Sequence, residues 1–205
     1  MAENSKTTNY QKYLNNNPLI LFFIRRFVRR ICFYIERYRP ERLFDIGCGE
    51  GIIANALNKK ISHFEYYGID INERSIETAR QLNPRLLFDT KNFFDMDPRK
   101  NSADVVLCLE VLEHLEEPQK GLRHLMELST NVVIVSVPWE PFFSLGNFFR
   151  GRYIKRWGNH PEHIQWFRKS TFNDLLNSVT LNFKVVTCFP WLISIITVSG
   201  SDKNN

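Results

Sequence analysis

The sequence predicts an α/β protein on a doubly wound, mostly parallel seven-stranded sheet, with helices on both faces and an antiparallel strand at the C-terminal end. Three observations carry that expectation. Short apolar runs alternate with helix-length segments from residue 42 to residue 138, the order that builds βαβ units. Two of the runs, "ADVVLCLEV" and "NVVIVSVP", are almost unbroken Val, Leu and Ile, as strands covered on both faces are. Two adjoining runs, "LNFKVVTCF" and "WLISIITVS", meet at Pro190-Trp191 as an antiparallel pair.

The chain opens with a polar, asparagine-rich stretch that lacks the basic-then-apolar order of a signal peptide, so a cytoplasmic location is expected. Pro18 then starts a helix that Pro40 ends. Arg25, Arg26, Arg29 and Arg30 share one face of it, and Phe23, Phe27, Ile31, Tyr34 and Tyr38 recur at steps of three and four on another. Each arginine would cost roughly 2.5–3.5 kcal/mol at a bilayer centre, so the segment is an amphipathic basic helix and not a membrane span. Residues 1–39 thus form an N-terminal extension, and residues 40–205 one α/β domain.

That domain reads, in order, as strand "RLFDI", helix "GIIANALNKK", strand "YYGID", helix "NERSIETARQL" and strand "RLLFDT". The two buried strands follow with "EEPQKGLRHLMELS" as their crossover helix, then an irregular stretch from Trp139 to Arg168. A loop of that length is a functional insertion or a pair of unrecognised helices. "STFNDLLNSV" is the last helix, with Ser170 or Thr171 as its cap. A chain of 205 residues with 43% hydrophobic content can bury a sizeable core, which excludes disordered and fibrous classes. Cys32, Cys48, Cys108 and Cys188 form no CxxC pair, which fits a reducing compartment and argues against a zinc site.

"RLFDIGCGEG" is the first chemical signal. Gly47, Gly49 and Gly51 bend the backbone between a buried strand and a helix, where a ligand can approach bare main chain. A dinucleotide fingerprint would need a glycine at position 52, which is Ile52, so the turn is G-x-G-x-G. Nineteen residues after Gly51, Asp70 ends the next strand in "GIDIN", where a carboxylate can accept hydrogen bonds from ribose hydroxyls. The third piece is "CLEVLEHL", residues 108–115.

With these three motifs, in this order, the sequence resembles the class I S-adenosylmethionine-dependent methyltransferases, in the small-molecule branch that includes the ubiquinone and menaquinone methyltransferases. The resemblance covers roughly Arg42 to Pro138 and implies a Rossmann-like methyltransferase fold for residues 40–205, with S-adenosyl-L-methionine as cofactor. It implies that Asp45 orients the methionyl amino end beside Gly47, Cys48, Gly49 and Gly51, that Asp70 holds the ribose and that Ile71 packs on adenine. Asn92 and Phe93 fall beside the adenine, where the family commonly has an acid followed by a small or apolar residue. Leu109 and Glu110 complete the cofactor cleft.

A sulfonium methyl is already activated, so a base is needed only when the acceptor carries a proton at neutral pH. His114 is the candidate base, and its competing role is a histidine that caps the loop. Glu113 either lines the acceptor pocket or orients His114. Residues 139–168 form a substrate-binding lid in this reading, with Trp139, His160 and His163 contacting a small-molecule acceptor. His160, Glu162 and His163 lack the further ligands a metal needs, so no metal site is expected. Phe142, Phe143, Phe148 and Phe149 either shape an apolar pocket or anchor the insertion.

Three other functions compete. A basic chain with a formal charge of +5 invites nucleic-acid methylation, although "LEVLEH" stands where base-amine methyltransferases carry Asn/Asp-Pro-Pro-aromatic. Residues 19–39 suit either peripheral membrane contact, with a lipid-like or quinone-like acceptor, or a cover over the cofactor cleft. A scaffold that keeps the fold without turnover is the reading from another class.

Overall fold

The computed structural model describes residues 17–59, 64–142 and 164–198. Its strands form one seven-stranded mixed sheet in the order β3-β2-β1-β4-β5-β7-β6. Two compact units divide the chain, one ending at Asp95 and the other beginning at Met96.

The first unit starts with helix α1, Pro18–Tyr38. The Asn17 side chain caps it by accepting from the Leu19 N–H, Pro18 occupies the first turn, and Arg39 closes it in the left-handed conformation by donating to the Ile35 carbonyl. Its buried stripe is Ile24, Phe27, Ile31, Cys32 and Ile35. The apolar face is therefore rotated from the predicted one: Phe23, Tyr34 and Tyr38 lie at its half-buried margin. Cys32, unremarkable by pattern, sits in the core as a small hydrophobe.

Strand β1, Arg42–Ile46, pairs in parallel with β2, Glu65–Asp70, and β2 with β3, Leu87–Thr90. Helices α2, Ile52–Asn58, and α3, Glu73–Leu82, supply the crossovers. Asn72 caps α3 through its side chain, which accepts from the N–H groups of Arg74 and Ser75. The register sets Asp45 opposite Gly68 and Ile46 opposite Ile69, so the turn after β1 lies beside the end of β2.

In the second unit, β4, Ala103–Leu109, runs parallel to β5, Ser129–Pro138, through α4, Pro118–Leu128. Val105, Val106, Leu107 and Cys108 are fully buried, as their continuous apolar run requires. After α5, Lys169–Asn177, strands β6, Phe183–Cys188, and β7, Trp191–Thr197, form the antiparallel pair, and β7 lies between β5 and β6. That placement explains the contrast between β7, buried from Trp191 to Ile196, and the half-exposed edge strand β6. The cap of α5 differs from expectation: Arg168 is the N-cap residue, and Thr171, three positions on, accepts from the Arg168 N–H at 2.9 Å. Ser170 lies within the helix.

Candidate functional site

The glycine turn is wound onto the end of β2. Gly47 N–H and Cys48 N–H both donate to the Ile69 carbonyl, at 2.8 and 3.0 Å, and Gly49 N–H donates to Asp70 Oδ2 at 2.9 Å. Gly51 N–H closes the turn on the Cys48 carbonyl at 3.0 Å. Three successive amides therefore point into the protein and are not offered to a ligand. A phosphate-cradling loop needs those donors outward. This turn suits a nucleoside ligand without a pyrophosphate.

Glycine is required for two different reasons. At Gly49, with φ of +54°, an added Cβ would meet nothing within 4 Å, so the main chain there faces open space. At Gly51, with φ of +69°, a Cβ would stand 2.8 Å from Asn83 Nδ2 and 3.0 Å from Ala79 Cβ. Gly51 thus serves packing: buried Asn83 donates to the Gly51 carbonyl at 3.0 Å and to the Ala79 carbonyl at 3.1 Å, fastening the turn to α3. Gly51→Ala is expected to cost roughly 2–3 kcal/mol, combining left-handed strain with the clash, and Gly49→Ala only about 1 kcal/mol. Urea denaturation of the two variants measures this, and equal losses would refute the packing role.

Asp70 is bound by main chain at both oxygens: Oδ2 by Gly49 and Oδ1 by the Asn72 N–H at 2.8 Å. Each carboxylate oxygen keeps a further lone pair for a ligand hydroxyl. Next to it, Ile71 is 77% exposed, an unusual position for isoleucine and one suited to receiving a flat apolar ring. Asn92 folds back on its own loop, its Oδ1 accepting from the Phe94 N–H at 3.1 Å as it starts the short 3-10 turn Phe93–Asp95. Phe93 is buried. Phe94, which pattern reading passed over, stacks on it with ring centroids 4.2 Å apart and is 37% exposed.

Beneath the turn lies a buried polar pair. Asp45 is 2% exposed, and Tyr66, 4% exposed, donates its hydroxyl hydrogen to Asp45 Oδ2 at 2.7 Å. Burial pushes the Asp45 carboxyl up to about 6, opposed by the Tyr66 hydrogen bond and assisted by the charge of Asp70. Burial, then the neighbouring Asp45, holds the Tyr66 hydroxyl well above its ordinary value, so it remains a donor. Gly68 makes this pair fit, since a Cβ there would lie 2.9 Å from the Tyr66 hydroxyl and 3.0 Å from Cys48 Sγ. Burial followed by the charges of Asp45 and Asp70 pushes the Cys48 thiol far up, which removes it as a nucleophile.

In the second unit, Leu109 ends β4 and Glu110 follows with φ of +57°, its N–H held by the Ser136 carbonyl at 3.0 Å. A non-glycine residue in that conformation stores of order 1 kcal/mol, a strain typical of functional loops. The 3-10 turn Leu112–His114 comes next. Glu113 is 1% exposed and its carbonyl accepts from both Ile164 N–H and Gln165 N–H, at 2.9 and 3.0 Å. Its main-chain carbonyl therefore anchors the returning end of the 139–168 segment, a contact that does not involve the Glu113 side chain. His114 is half-buried, its N–H bonded to the Val111 carbonyl. At the other end of the segment, Trp139 packs edge-on against Phe142 and Phe189, at 4.8 and 6.2 Å between centroids. His160 and His163, together with Phe143, Phe148 and Phe149, lie outside the described residues. Among the described residues no cluster of His, Cys, Asp and Glu could hold a metal ion.

Comparison with known proteins adds an independent line. A family model described as a methyltransferase domain matches residues 20–187. The ubiquinone biosynthesis O-methyltransferase of Neisseria meningitidis serogroup C is 36% identical over 91 residues, 42% of this chain and 38% of that protein. The mitochondrial enzyme of the same name from Schizosaccharomyces pombe is 30% identical over 122 residues, covering 56% and 42%. The matched stretch thus spans about two fifths of these relatives' length. Among solved structures, the magnesium protoporphyrin IX methyltransferase of Synechocystis PCC 6803 with SAH bound aligns with a TM-score of 0.68, 17% identity and coverage of 94% of this chain and 95% of that one. The plantazolicin methyltransferase, also with SAH, aligns at 0.74, 16% identity and 93% and 90% coverage. At such identities the likeness is one of fold.

Proposed function

Because the chain belongs to the class I S-adenosylmethionine-dependent methyltransferase family, we propose that it transfers a methyl group from S-adenosylmethionine to a hydroxyl oxygen of a small, apolar, quinone-like acceptor. The observation that carries the cofactor half is the coupling of the glycine turn to Asp70: one carboxylate shapes the turn through Gly49 and keeps lone pairs for the ribose, while the space over Gly49 stays open. The acceptor half rests on relatives named for O-methylation in ubiquinone biosynthesis.

Bound S-adenosylmethionine supplies an electrophilic sulfonium methyl group. The protein's tasks are then to grip, align and exclude water. Asp70 takes the ribose hydroxyls, and exposed Ile71 and Phe94 offer apolar surface to the adenine. Asp45, ionised when a cationic amino group arrives, balances that charge. His114 would take the acceptor's hydroxyl proton as the oxygen displaces sulfur at the methyl carbon, the C–S bond breaking as the C–O bond forms.

Calorimetric titration with S-adenosylmethionine, S-adenosylhomocysteine and NADH tests the first half: micromolar binding of the first two alone is expected, and equal or absent binding refutes it. A screen of catechol and short-chain quinol acceptors follows. For the acceptor that turns over, His114→Ala is expected to lower kcat about a hundredfold and leave S-adenosylhomocysteine affinity unchanged. Wild-type turnover in that variant would make His114 a structural residue.

A further inference from the structure

Helix α1 turns a charged and aromatic face outward. Phe22 and Phe33 are 57% and 50% exposed, about 16 Å apart along the axis, and Leu19 is 62% exposed. At the helical pitch Phe22, Arg26, Arg29 and Phe33 fall within about 60° of arc, with Arg25 and Arg30 on either side. An open hollow runs along this face, lined by those six residues and Pro18. The four arginines make no hydrogen bond or ion pair with the described residues. Stability alone does not explain two phenylalanines and a leucine left in water beside unpaired cations, because the opposite stripe, Ile24, Phe27, Ile31 and Ile35, already seats the helix on its core.

Residues 18–39 hold six arginines against Glu36 alone, a net of +5, which equals the formal +5 of the entire chain. The rest of the protein is neutral, so the basicity is a property of this helix and not a diffuse surface charge.

We propose that the outer face of α1 docks the protein on an anionic phospholipid bilayer. The arginines would lie at the phosphate level while Leu19, Phe22 and Phe33 enter the headgroup–acyl boundary, the mode of an interfacial helix. No described helix is long and apolar enough to cross a membrane, so the contact lies in the plane of the surface. Charge complementarity selects anionic lipid, and the exposed Phe22 and Phe33 at the two ends of the arginine cluster select a surface with an apolar interior over a nucleic-acid backbone.

Vesicle co-sedimentation of the full chain tests this. Binding is expected to equimolar phosphatidylcholine–phosphatidylglycerol vesicles and not to phosphatidylcholine alone, and it should fall as sodium chloride rises from about 0.1 M to about 1 M. Replacing Arg25, Arg26, Arg29 and Arg30 by Gln is expected to weaken it at least a hundredfold, and Phe22→Ala with Phe33→Ala about tenfold. Should the quadruple variant fail to fold by circular dichroism, Arg26→Gln with Arg29→Gln carries the test, with an expected loss of about tenfold or more. Equal binding to both vesicle types, or full binding by the folded arginine variant, overturns the proposal. So does wild-type binding to polyuridine without binding to vesicles. An arginine variant that loses S-adenosylhomocysteine affinity but keeps vesicle binding would make the face a cover for the cofactor instead. The vesicle measurement needs no cofactor, so its failure is read separately from failure of the methyltransferase reading.

Discussion

Asp70→Ala is expected to weaken S-adenosylhomocysteine binding by a factor of about a hundred or more, measured by calorimetry. Two losses combine. The variant gives up charge-assisted hydrogen bonds to the ligand hydroxyls, each of about 1.5–3 kcal/mol. It also releases the Gly49 and Asn72 N–H groups, which the Asp70 oxygens hold at 2.9 and 2.8 Å, so the glycine turn loses its shape before any ligand arrives. Asp70→Asn should not rescue it, because an amide presents one acceptor where two main-chain donors converge. Affinity within about threefold of wild type in Asp70→Ala would remove Asp70 from the site.

Asp45 should write a pH signature on both stability and binding. Its carboxyl is raised to about 6 from an ordinary 3.8, so the folded state binds a proton more tightly than the unfolded chain. The stabilisation from that proton is full below pH 3.8 and is lost as pH climbs through about 6, a loss of roughly 2–3 kcal/mol. Asp45→Asn keeps an oxygen for Tyr66 and has no proton to lose. The variant should therefore match wild type near pH 4 and exceed its stability by about that amount at pH 7.5. Binding should run the other way. Wild-type affinity for S-adenosylhomocysteine, whose amino group is cationic, should rise from pH 5 to pH 7 as Asp45 ionises, whereas the variant should bind at least about tenfold more weakly at pH 7.5 with little pH dependence. Denaturant titrations of both proteins at the two pH values decide the first claim; a constant stability difference would refute it.

Much of the fold is legible in local pattern. The span of α1 follows from Pro18 and Pro40, and the βαβ order from apolar runs of strand length, because these are properties of a few neighbouring residues. Phase is harder to read than presence. Phe23 and Ile24 are both apolar, and only the surface that receives the helix decided that Ile24 is buried and Phe23 half-buried. Likewise Thr171 and Arg168 share the start of α5 in a way that residue preference for the N-cap position does not anticipate.

By itself the sequence determined the kind of protein this is: glycines at 47, 49 and 51 after a buried strand, an acid at 70 and "CLEVLEHL" are chemistry written in order along the chain. Tertiary structure alone decided how those pieces work. It turned the amides of residues 47–49 inward to β2, gave Gly51 to Asn83 and Gly49 to open space, and set β7 between β5 and β6. It also brought the Tyr66 hydroxyl to Asp45 across 21 residues, where the strand period and the missing Cβ of Gly68 make room for it. The physical reason is common to all of these. Composition and spacing report what a segment can form, whereas direction, burial and hydrogen-bond partner depend on residues far away in the chain.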